Sequence, residues 1–239
     1  EQTWYSKIHQ HISPHVRIPW MQIWRSLGTP LSDPTEEKAA RKLLHRAWNA
    51  KNRHPTEPDH SCRLGCGATE SMRHMIACPR ARPLWSACLK FCRDVLGEKQ
   101  APNQYMAVIF GTVGPDELMS ESGLAFMRHA LSKYYRDATL IHTKKFRIHW
   151  TRTFRDALLS YRDAVMRYAY AMRRMYANRL YTNLVEVVPE KDRDRFPRLI
   201  EISQTGTFKL TQAFSTAVDK ATKQAEQIRP PNGAWRYDW

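Results

Sequence analysis

The sequence predicts a mainly α-helical fold in which a small three-cysteine, one-histidine module packs on helices and is followed by a long basic helical hairpin. Three observations support this prediction. Three cysteines and a histidine are grouped between positions 62 and 78. Apolar residues between positions 144 and 181 recur at alternating steps of four and three, the period of a helix packed along a seam. Helix-start residues stand at Ser32-Asp33-Pro34-Thr35 and again at Arg82-Pro83.

The composition is that of a folded, strongly basic protein. Hydrophobic residues make up 42% of the chain and charged residues 26%, close to the usage of ordinary globular domains. Lys plus Arg outnumber Asp plus Glu by 38 to 23, which gives a formal charge of +15 and a pI near 9.8. Such a charge is typical of proteins that bind nucleic acid, although a solvated basic surface without a dedicated ligand would also produce it. No apolar run approaches the ~18 to 20 residues that span a bilayer.

The first part of the chain is predicted to be an arm followed by a helix. Residues 1–31 mix aromatic residues, histidines and prolines, which indicates an extended N-terminal arm that is irregular and packed, with short helical turns. A helix should begin after Asp33 and run to about Lys51, because the preceding residues offer a cap and acidic residues follow in the first turn. We assign residues 32–115 to this helix and the cysteine-containing module.

The middle of the chain contains a short apolar segment and then the predicted hairpin. Residues 105–113 form an apolar run between turn residues, and we predict a short strand or extended segment there. Residues 116–184 are assigned to the basic hairpin, with helices over 117–143 and 144–181 packed antiparallel. The predicted seam of the second helix consists of Phe154, Leu158, Tyr161, Val165, Tyr168, Met172 and Met175.

The last part of the chain is predicted to be a linker and a C-terminal helix, residues 185–229, and an aromatic tail, residues 230–239. The helix should run from about 207 to 228, and the two prolines that open the tail prevent it from continuing. We predict that Trp235, Tyr237 and Trp239 bind a partner protein, since they share one face if the tail is extended. Folding of the tail onto its own domain is the alternative.

The cysteine group has the spacing of a zinc site. Cys62 and Cys66 are separated by three residues, one of them glycine, in a loop that lets both thiolates point at one ion. His74 and Cys78 are four apart and would share one face if they lie at the start of a helix. Three thiolates and one imidazole complete a tetrahedral site without an open position, which predicts structural Zn²⁺. Free buried thiols and a surface histidine are the alternative.

The remaining cysteines and the cysteine count bear on the compartment. Five cysteines with this grouping favour a metal site over a disulfide framework, and hence a reducing, intracellular compartment, mitochondrial or nuclear.

Cys88 and Cys92 repeat the four-residue spacing, but no further ligands stand nearby. We predict that these two are buried core thiols, with a second metal half-site as the alternative.

The segment 61–85 resembles the C-terminal zinc-binding segment of reverse transcriptases from non-LTR retrotransposons, in which a cysteine pair, a histidine, a last cysteine and a Pro…Leu-Trp ending follow in this order. Ile23-Trp24, the segment 43–46 and Ile109-Phe110-Gly111 stand where that family has an Ile-Trp pair, a helical lead-in and an apolar-glycine motif. The resemblance implies that the four ligands are Cys62, Cys66, His74 and Cys78. This chain has three residues between the histidine and the last cysteine, where the family often has four.

The motifs of catalysis are missing from the sequence. A polymerase of that family needs paired aspartates, and the chain contains no Asp-Asp dipeptide. A restriction-type nuclease needs Pro-Asp upstream of an acidic-x-Lys triplet, but Glu36-Glu37-Lys38 precedes both Pro58-Asp59 and Pro115-Asp116. Gly-x-Ser-x-Gly, Gly-x-x-x-x-Gly-Lys and His-Glu-x-x-His are also absent. We therefore expect no catalytic residues.

The second hairpin helix carries the candidate nucleic-acid contacts. Ten basic residues occur in this helix, against the two acidic residues Asp156 and Asp163. Most of the ten are arginines, whose guanidinium groups form paired hydrogen bonds with phosphate and stack on bases. Tyr170, Tyr176 and Tyr181 lie partly off the seam and could stack on unpaired bases. A solvated basic helix face with core tyrosines is the alternative. The ten cations are Lys144, Lys145, Arg147, Arg152, Arg155, Arg162, Arg167, Arg173, Arg174 and Arg179.

These features together predict a noncatalytic, zinc-containing RNA-binding protein that is a structural component of a ribonucleoprotein, for example an organellar ribosome. The expected partners are RNA, with DNA as the alternative, and other protein subunits bound through the terminal arms. Two other interpretations remain: a nucleic-acid-binding fragment of a non-LTR retrotransposon protein, and a structural subunit of a protein complex without nucleic acid.

Overall fold

The computed structural model describes residues 18–48, 50–51, 56, 59–140, 150–177, 195–202 and 207–227. The fold is mainly helical, as predicted, and buried side chains from Ile18 to Ala225 form one continuous hydrophobic cluster. None of the described helices is both long enough and apolar enough to cross a membrane. The α-helices are α1 (Trp20–Arg25), α2 (Pro34–Leu44), α3 (Met72–Ala77), α4 (Arg82–Phe91), α5 (Gln104–Phe110), α6 (Glu121–Leu140), α7 (Trp150–Ala177) and α8 (Gln212–Gln227).

Helix α2 begins where the cap residues predict and ends earlier than expected. The Asp33 side chain accepts hydrogen bonds from the N–H groups of Thr35 and Glu36, and the Glu36 carboxylate accepts from the Asp33 N–H in return. Helix α2 stops at Leu44, because Arg46 adopts a positive φ of 55°. The chain then turns back, and the buried indole of Trp48 donates to the Ala39 carbonyl oxygen at 3.0 Å.

The segment 105–113 was predicted to be a strand, and most of it is helix. Helix α5 is capped by Asn103, whose side chain accepts a hydrogen bond from the Met106 N–H, and it ends at Gly111 in a left-handed conformation. Every residue from 106 to 110 is buried, so no polar face reveals the helical period. Only the end of the segment is extended: β1 (Thr112–Gly114) pairs antiparallel with β2 (Glu117–Leu118).

The two longest helices pack antiparallel at the centre of the fold. His129 of α6 lies 3.0 Å from the Ser160 hydroxyl of α7, whereas Asp137, two turns later, accepts a hydrogen bond from Thr153, which comes before Ser160. The connecting segment 141–149 lies outside the described residues. In the predicted seam, Phe154, Leu158, Tyr161, Val165 and Met172 are buried and Tyr168 is half-buried. Met175 is 57% exposed, so its assignment to the seam was wrong.

A small sheet and the last described helix pack against α7. Strands β3 (Ile200–Ile202) and β4 (Phe208–Leu210) pair antiparallel, and α8 follows directly. The helix therefore begins at Gln212 and not at 207, where the pattern placed it, because residues 208–210 are used in the sheet. The ring of Phe214 packs edge-on against Tyr161 of α7, with 5.9 Å between the ring centroids.

Candidate metal centre and basic helix face

The three cysteines and the histidine of the predicted site lie together. Their ligand atoms are all within 4.8 Å of one another: the Sγ atoms of Cys62, Cys66 and Cys78 and a ring nitrogen of His74. The Sγ atoms of Cys62 and Cys78 are 3.7 Å apart, and Nε2 of His74 lies 3.1 Å from the Sγ of Cys66. No disulfide joins any of the described cysteines. This Cys3His cluster could hold a metal ion.

A tight loop places the first two cysteines. The N–H of Cys62 donates to the Ala68 carbonyl oxygen at 2.7 Å, which closes the loop around Cys66. Gly65 and Gly67 adopt left-handed conformations, with φ of 72° and 81°, on either side of Cys66. The N–H of Leu64 points at the Cys62 sulfur at 3.4 Å, an orientation that stabilises negative charge on a thiolate.

The second pair of ligands is placed by the short helix α3. The Ser71 hydroxyl caps this helix by accepting a hydrogen bond from the His74 N–H at 3.0 Å. His74 therefore lies in the first turn of α3. Cys78 does not lie on the same helix face, because α3 ends at Ala77 and Cys78 has an extended ψ of 131°. The turn after α3 brings its thiol back to the cluster.

The two buried thiols of the cluster are electrostatically coupled. Cys62 and Cys78 are buried, whereas Cys66 and His74 are partly exposed. The hydrogen bond between Cys62 and Cys78, together with burial, raises the pKa of Cys62. The same hydrogen bond lowers the pKa of Cys78. Cysteine binds a metal ion as the thiolate, so a cation bound here would have to displace the thiol protons.

A buried ion pair inside the cysteine loop was not predicted. Arg63 follows the first ligand directly, and its guanidinium binds the Glu70 carboxylate through Nε at 2.6 Å and Nη2 at 2.5 Å. Glu70 also accepts hydrogen bonds from the backbone N–H groups of Arg63 and Lys51. The Nη1 of Arg63 donates to the Ala138 carbonyl oxygen of α6 at 3.0 Å. The pair thus connects the cysteine loop to the central helices. Spacing alone gives no sign that these two charges are buried.

Tyr134 provides a second link between the cluster and α6. Its hydroxyl donates to the carbonyl oxygen of Met75, which follows the ligand His74 directly. The Tyr134 ring packs edge-on against Trp85, with centroids 5.0 Å apart, and Trp85 in turn donates to the Ile76 carbonyl oxygen at 3.0 Å. Helix α3 is therefore held in place by aromatic residues from both α4 and α6.

Cys88 and Cys92 are core residues. Both are buried, and the absence of solvent raises the pKa of each thiol. No histidine or acidic side chain in the described ranges joins them in a group that could hold a metal ion. The prediction of buried core thiols is confirmed.

Six of the predicted nucleic-acid-binding residues lie on α7 and share one face of it. Counting about 100° per residue, all six fall within about 80° of the direction of Tyr170. Four of them are exposed, while Arg155 and Arg162 are partly buried. They are Arg152, Arg155, Arg162, Arg167, Arg173 and Arg174, and we call this surface the arginine face. The other four cations, Lys144, Lys145, Arg147 and Arg179, lie outside the described residues.

The charge of the arginine face is unevenly balanced along the helix. In its first half, Arg155 lies 3.4 Å from Asp156, and Arg162 lies 3.5 Å from Asp163. The second half, residues 164–177, contains no aspartate or glutamate. Within this helix, the arginines without an acidic residue in the same half are therefore those of the C-terminal half of α7.

The tyrosines proposed for base stacking differ in exposure. Tyr170 is 61% exposed and lies at the centre of the arginine face. Tyr176 is only 5% exposed and packs on Phe208, so the prediction that it could stack on a base was wrong. Tyr181 lies outside the described residues, as do the tail residues Trp235, Tyr237 and Trp239.

The chain matches no protein-family model, no curated protein and no solved structure. Its resemblance to the zinc-binding segment of reverse transcriptases from non-LTR retrotransposons therefore stays a prediction. The two features of the described residues that bear on function are the Cys3His cluster and the arginine face.

Proposed function

We propose that this protein is a noncatalytic, zinc-containing RNA-binding protein that works as a structural component of a ribonucleoprotein, for example an organellar ribosome. The observation that carries the proposal is the arginine face, whose C-terminal half presents Arg167, Arg173 and Arg174 to solvent without an acidic residue in the same stretch of helix. The Cys3His cluster serves to fix the helices that support this face.

Zinc is the ion that suits the cluster best. Three thiolates and an imidazole are the donor set of many structural zinc sites. A tetrahedral ion with Zn–S bonds of about 2.3 Å would separate two sulfurs by about 3.8 Å, and the Sγ atoms of Cys62 and Cys78 are 3.7 Å apart. Harder cations such as Mg²⁺ and Ca²⁺ prefer oxygen ligands, which the cluster does not offer.

The donor set also supports a structural and noncatalytic role. Catalytic zinc sites use three protein ligands and keep a fourth position for water or substrate. Here four protein ligands converge, and two of the thiols are buried. An ion bound by all four would be closed to substrate and would act on stability alone.

Phosphate is the ligand class that fits the arginine face. Arginine forms paired hydrogen bonds with phosphate oxygens, and the excess of cations over anions gives the whole chain a formal charge of +15. A helix surface with several arginines along one side can follow a nucleic-acid backbone. RNA is proposed over DNA because one tyrosine stands exposed among these arginines, which suits unpaired bases.

The test measures affinity against salt concentration for the full chain with labelled RNA and DNA. Each phosphate contact contributes a slope of about 0.7 in log affinity against log salt for single strands. Changing Arg167, Arg173 and Arg174 together to glutamine should reduce the slope by about 2. The matched control changes Lys90, Arg93 and Lys99, three exposed cations outside the arginine face, and should have a smaller effect.

The same experiment decides between the proposed function and its alternatives. An unchanged slope in the arginine-face variant would move the binding surface elsewhere. No binding of either nucleic acid at low salt would overturn the proposal and favour a protein-complex subunit. If nucleic acid does bind, a separate experiment that crosslinks it to the native protein and sequences it would distinguish ribosomal RNA from the RNA or target DNA of a retroelement.

A further inference from the structure

The arginine face has an apolar centre. Tyr170 is 61% exposed and Met166, one turn earlier, is 52% exposed. Both side chains point to solvent, whereas Val165, Ala169 and Met172 of the same helix are buried. The two residues are neighbours on the helix surface and together form an exposed apolar patch, and contiguous patches of this kind mark ligand surfaces.

Arginines flank this apolar centre on both sides. At about 100° per residue, Arg167 and Arg174 lie about 60° and 40° to one side of Tyr170, and Arg173 lies about 60° to the other. A nucleic-acid backbone whose phosphates contact Arg167 and Arg174 on one side, or Arg173 on the other, would place its bases over the Tyr170 ring. The two kinds of contact that single-stranded nucleic acid needs, cations for the backbone and a flat ring for a base, are thus adjacent.

We infer that the arginine face binds unpaired RNA more tightly than duplex RNA, with one base stacked on the ring of Tyr170 and packed against Met166. This inference rests on the proposed function and names the substrate class for the same surface. In a duplex the bases are already stacked on one another, and the deep, narrow major groove of A-form RNA excludes side chains. The Tyr170 ring would then gain no contact, and only the phosphate contacts would remain.

A structural role for Tyr170 is not supported by its surroundings. Its exposure contrasts with that of Tyr161 and Tyr176, which are 0% and 5% exposed and pack on Phe214 and Phe208. Replacing Tyr170 should therefore leave the fold intact, which makes the residue suitable for a binding test.

The experiment compares the affinity of the full chain for a fluorescein-labelled oligouridine and for an RNA duplex of the same length. Tyr170→Ala should weaken binding of the oligouridine by about 5- to 150-fold, the range that stacking of one base supplies. Tyr170→Phe keeps the ring and should bind as the wild type does. Duplex binding and the salt dependence should be unchanged in both variants. Met175→Ala is the control and should bind the oligouridine as tightly as the wild type does. Met175 is 57% exposed but lies about 140° from Tyr170 around the helix.

Three outcomes separate this inference from the proposed function. If Tyr170→Ala binds the oligouridine as tightly as the wild type while the arginine-face variant does not, the stacking inference falls and the proposed function stands. If the wild type binds the duplex as tightly as the oligouridine, preference for unpaired RNA is overturned. If the wild type binds neither, both proposals fall. The unfolding midpoint of Tyr170→Ala, measured by circular dichroism, should equal that of the wild type.

Discussion

The guanidinium of Arg63 and the carboxylate of Glu70 form a paired, buried contact within the cysteine loop, with side chains that are 3% and 0% exposed. Burial alone would raise the pKa of Glu70, but hydrogen bonds from the Arg63 side chain and from two backbone N–H groups more than offset it, so this pKa lies below its usual value. Glu70 is therefore ionised at neutral pH. The pair joins the candidate metal centre to the Ala138 carbonyl group of α6.

We expect Glu70→Gln to be strongly destabilising. The variant leaves the Arg63 guanidinium buried without a counter-charge, a change that typically costs about 3 to 5 kcal/mol. Urea unfolding followed by circular dichroism measures the loss. Asp94→Asn is the matched control, because it removes a carboxylate that pairs with Lys90 at the surface, and its midpoint should equal that of the wild type. Equal stability of Glu70→Gln and Asp94→Asn would contradict the structural role of the buried pair.

Zinc should copurify at about one equivalent per chain, the content of a single closed site. Cys66→Ser should lose the metal and unfold the region around residues 60–95, because structural zinc supplies about 10 to 16 kcal/mol of apparent binding energy in small peptides. Cys88→Ala removes a buried thiol outside the Cys3His cluster and should keep its zinc. Elemental analysis of each purified protein measures its zinc content per chain. A zinc content below about half an equivalent in the freshly purified wild type would show that the cluster is not a zinc site.

Acid should remove the contribution that the helix cap at Asp33 makes to the free energy of unfolding. A side-chain hydrogen bond with Glu36, with help from the backbone N–H groups of Glu36 and Thr35, lowers the pKa of Asp33 from 3.8 to about 2. Because the folded-state pKa is lowered, the stabilisation is fully present above about pH 4 and is lost as the pH falls through about 2.

Two variants test the cap. Asp33→Ala should cost about 0.5 to 2 kcal/mol at neutral pH, and its deficit should shrink on acidification. Asp33→Asn keeps a good cap that does not titrate, so its stability should fall less steeply in acid than that of the wild type. Unfolding midpoints in urea between pH 7 and pH 2 give both differences. A deficit of Asp33→Ala that is constant over this range would show that the charge of the cap is unimportant.

Gly111 should not tolerate a side chain. It has a φ of 70°, and a Cβ built on it would lie 2.1 Å from Cδ2 of Leu124, which is buried. Gly111→Ala should therefore cost about 1 to 3 kcal/mol, the usual range for overpacking a core. Gly28→Ala is the control, since a Cβ there would meet no atom within 4 Å. Similar thermal unfolding midpoints for the two variants would mean that α5 and α6 can move apart at little cost.

Some features could be predicted from the sequence because they depend on neighbours along the chain. The cap at Asp33 uses residues within one helical turn, and the helical character of α7 follows from a period that persists for several turns. The choice of Cys62, Cys66, His74 and Cys78 as a group also follows from short spacings. Their convergence within 4.8 Å agrees with that choice.

Other features could not be predicted because a period in sequence does not show where a helix meets its neighbours. Met175 fits the seam of α7 by spacing, yet it is exposed, whereas Tyr176 next to it is buried against Phe208 of the small sheet. Helix α5 was mistaken for a strand because it is buried on all sides. The contact that buries Tyr176 comes from Phe208, which lies far away in the chain.

The sequence by itself determined the helical class, the cysteine and histidine group that could hold a metal ion, the strongly basic charge and the cap that starts α2, since each depends on composition or on residues a few positions apart. Only the tertiary structure decided that Arg63 and Glu70 are buried together, that Tyr134 holds α3, and which tyrosine of α7 faces solvent. The physical reason is that burial is a property of packing. The same side chain is ionised and solvated, or enclosed and paired, according to which distant segments fold against it.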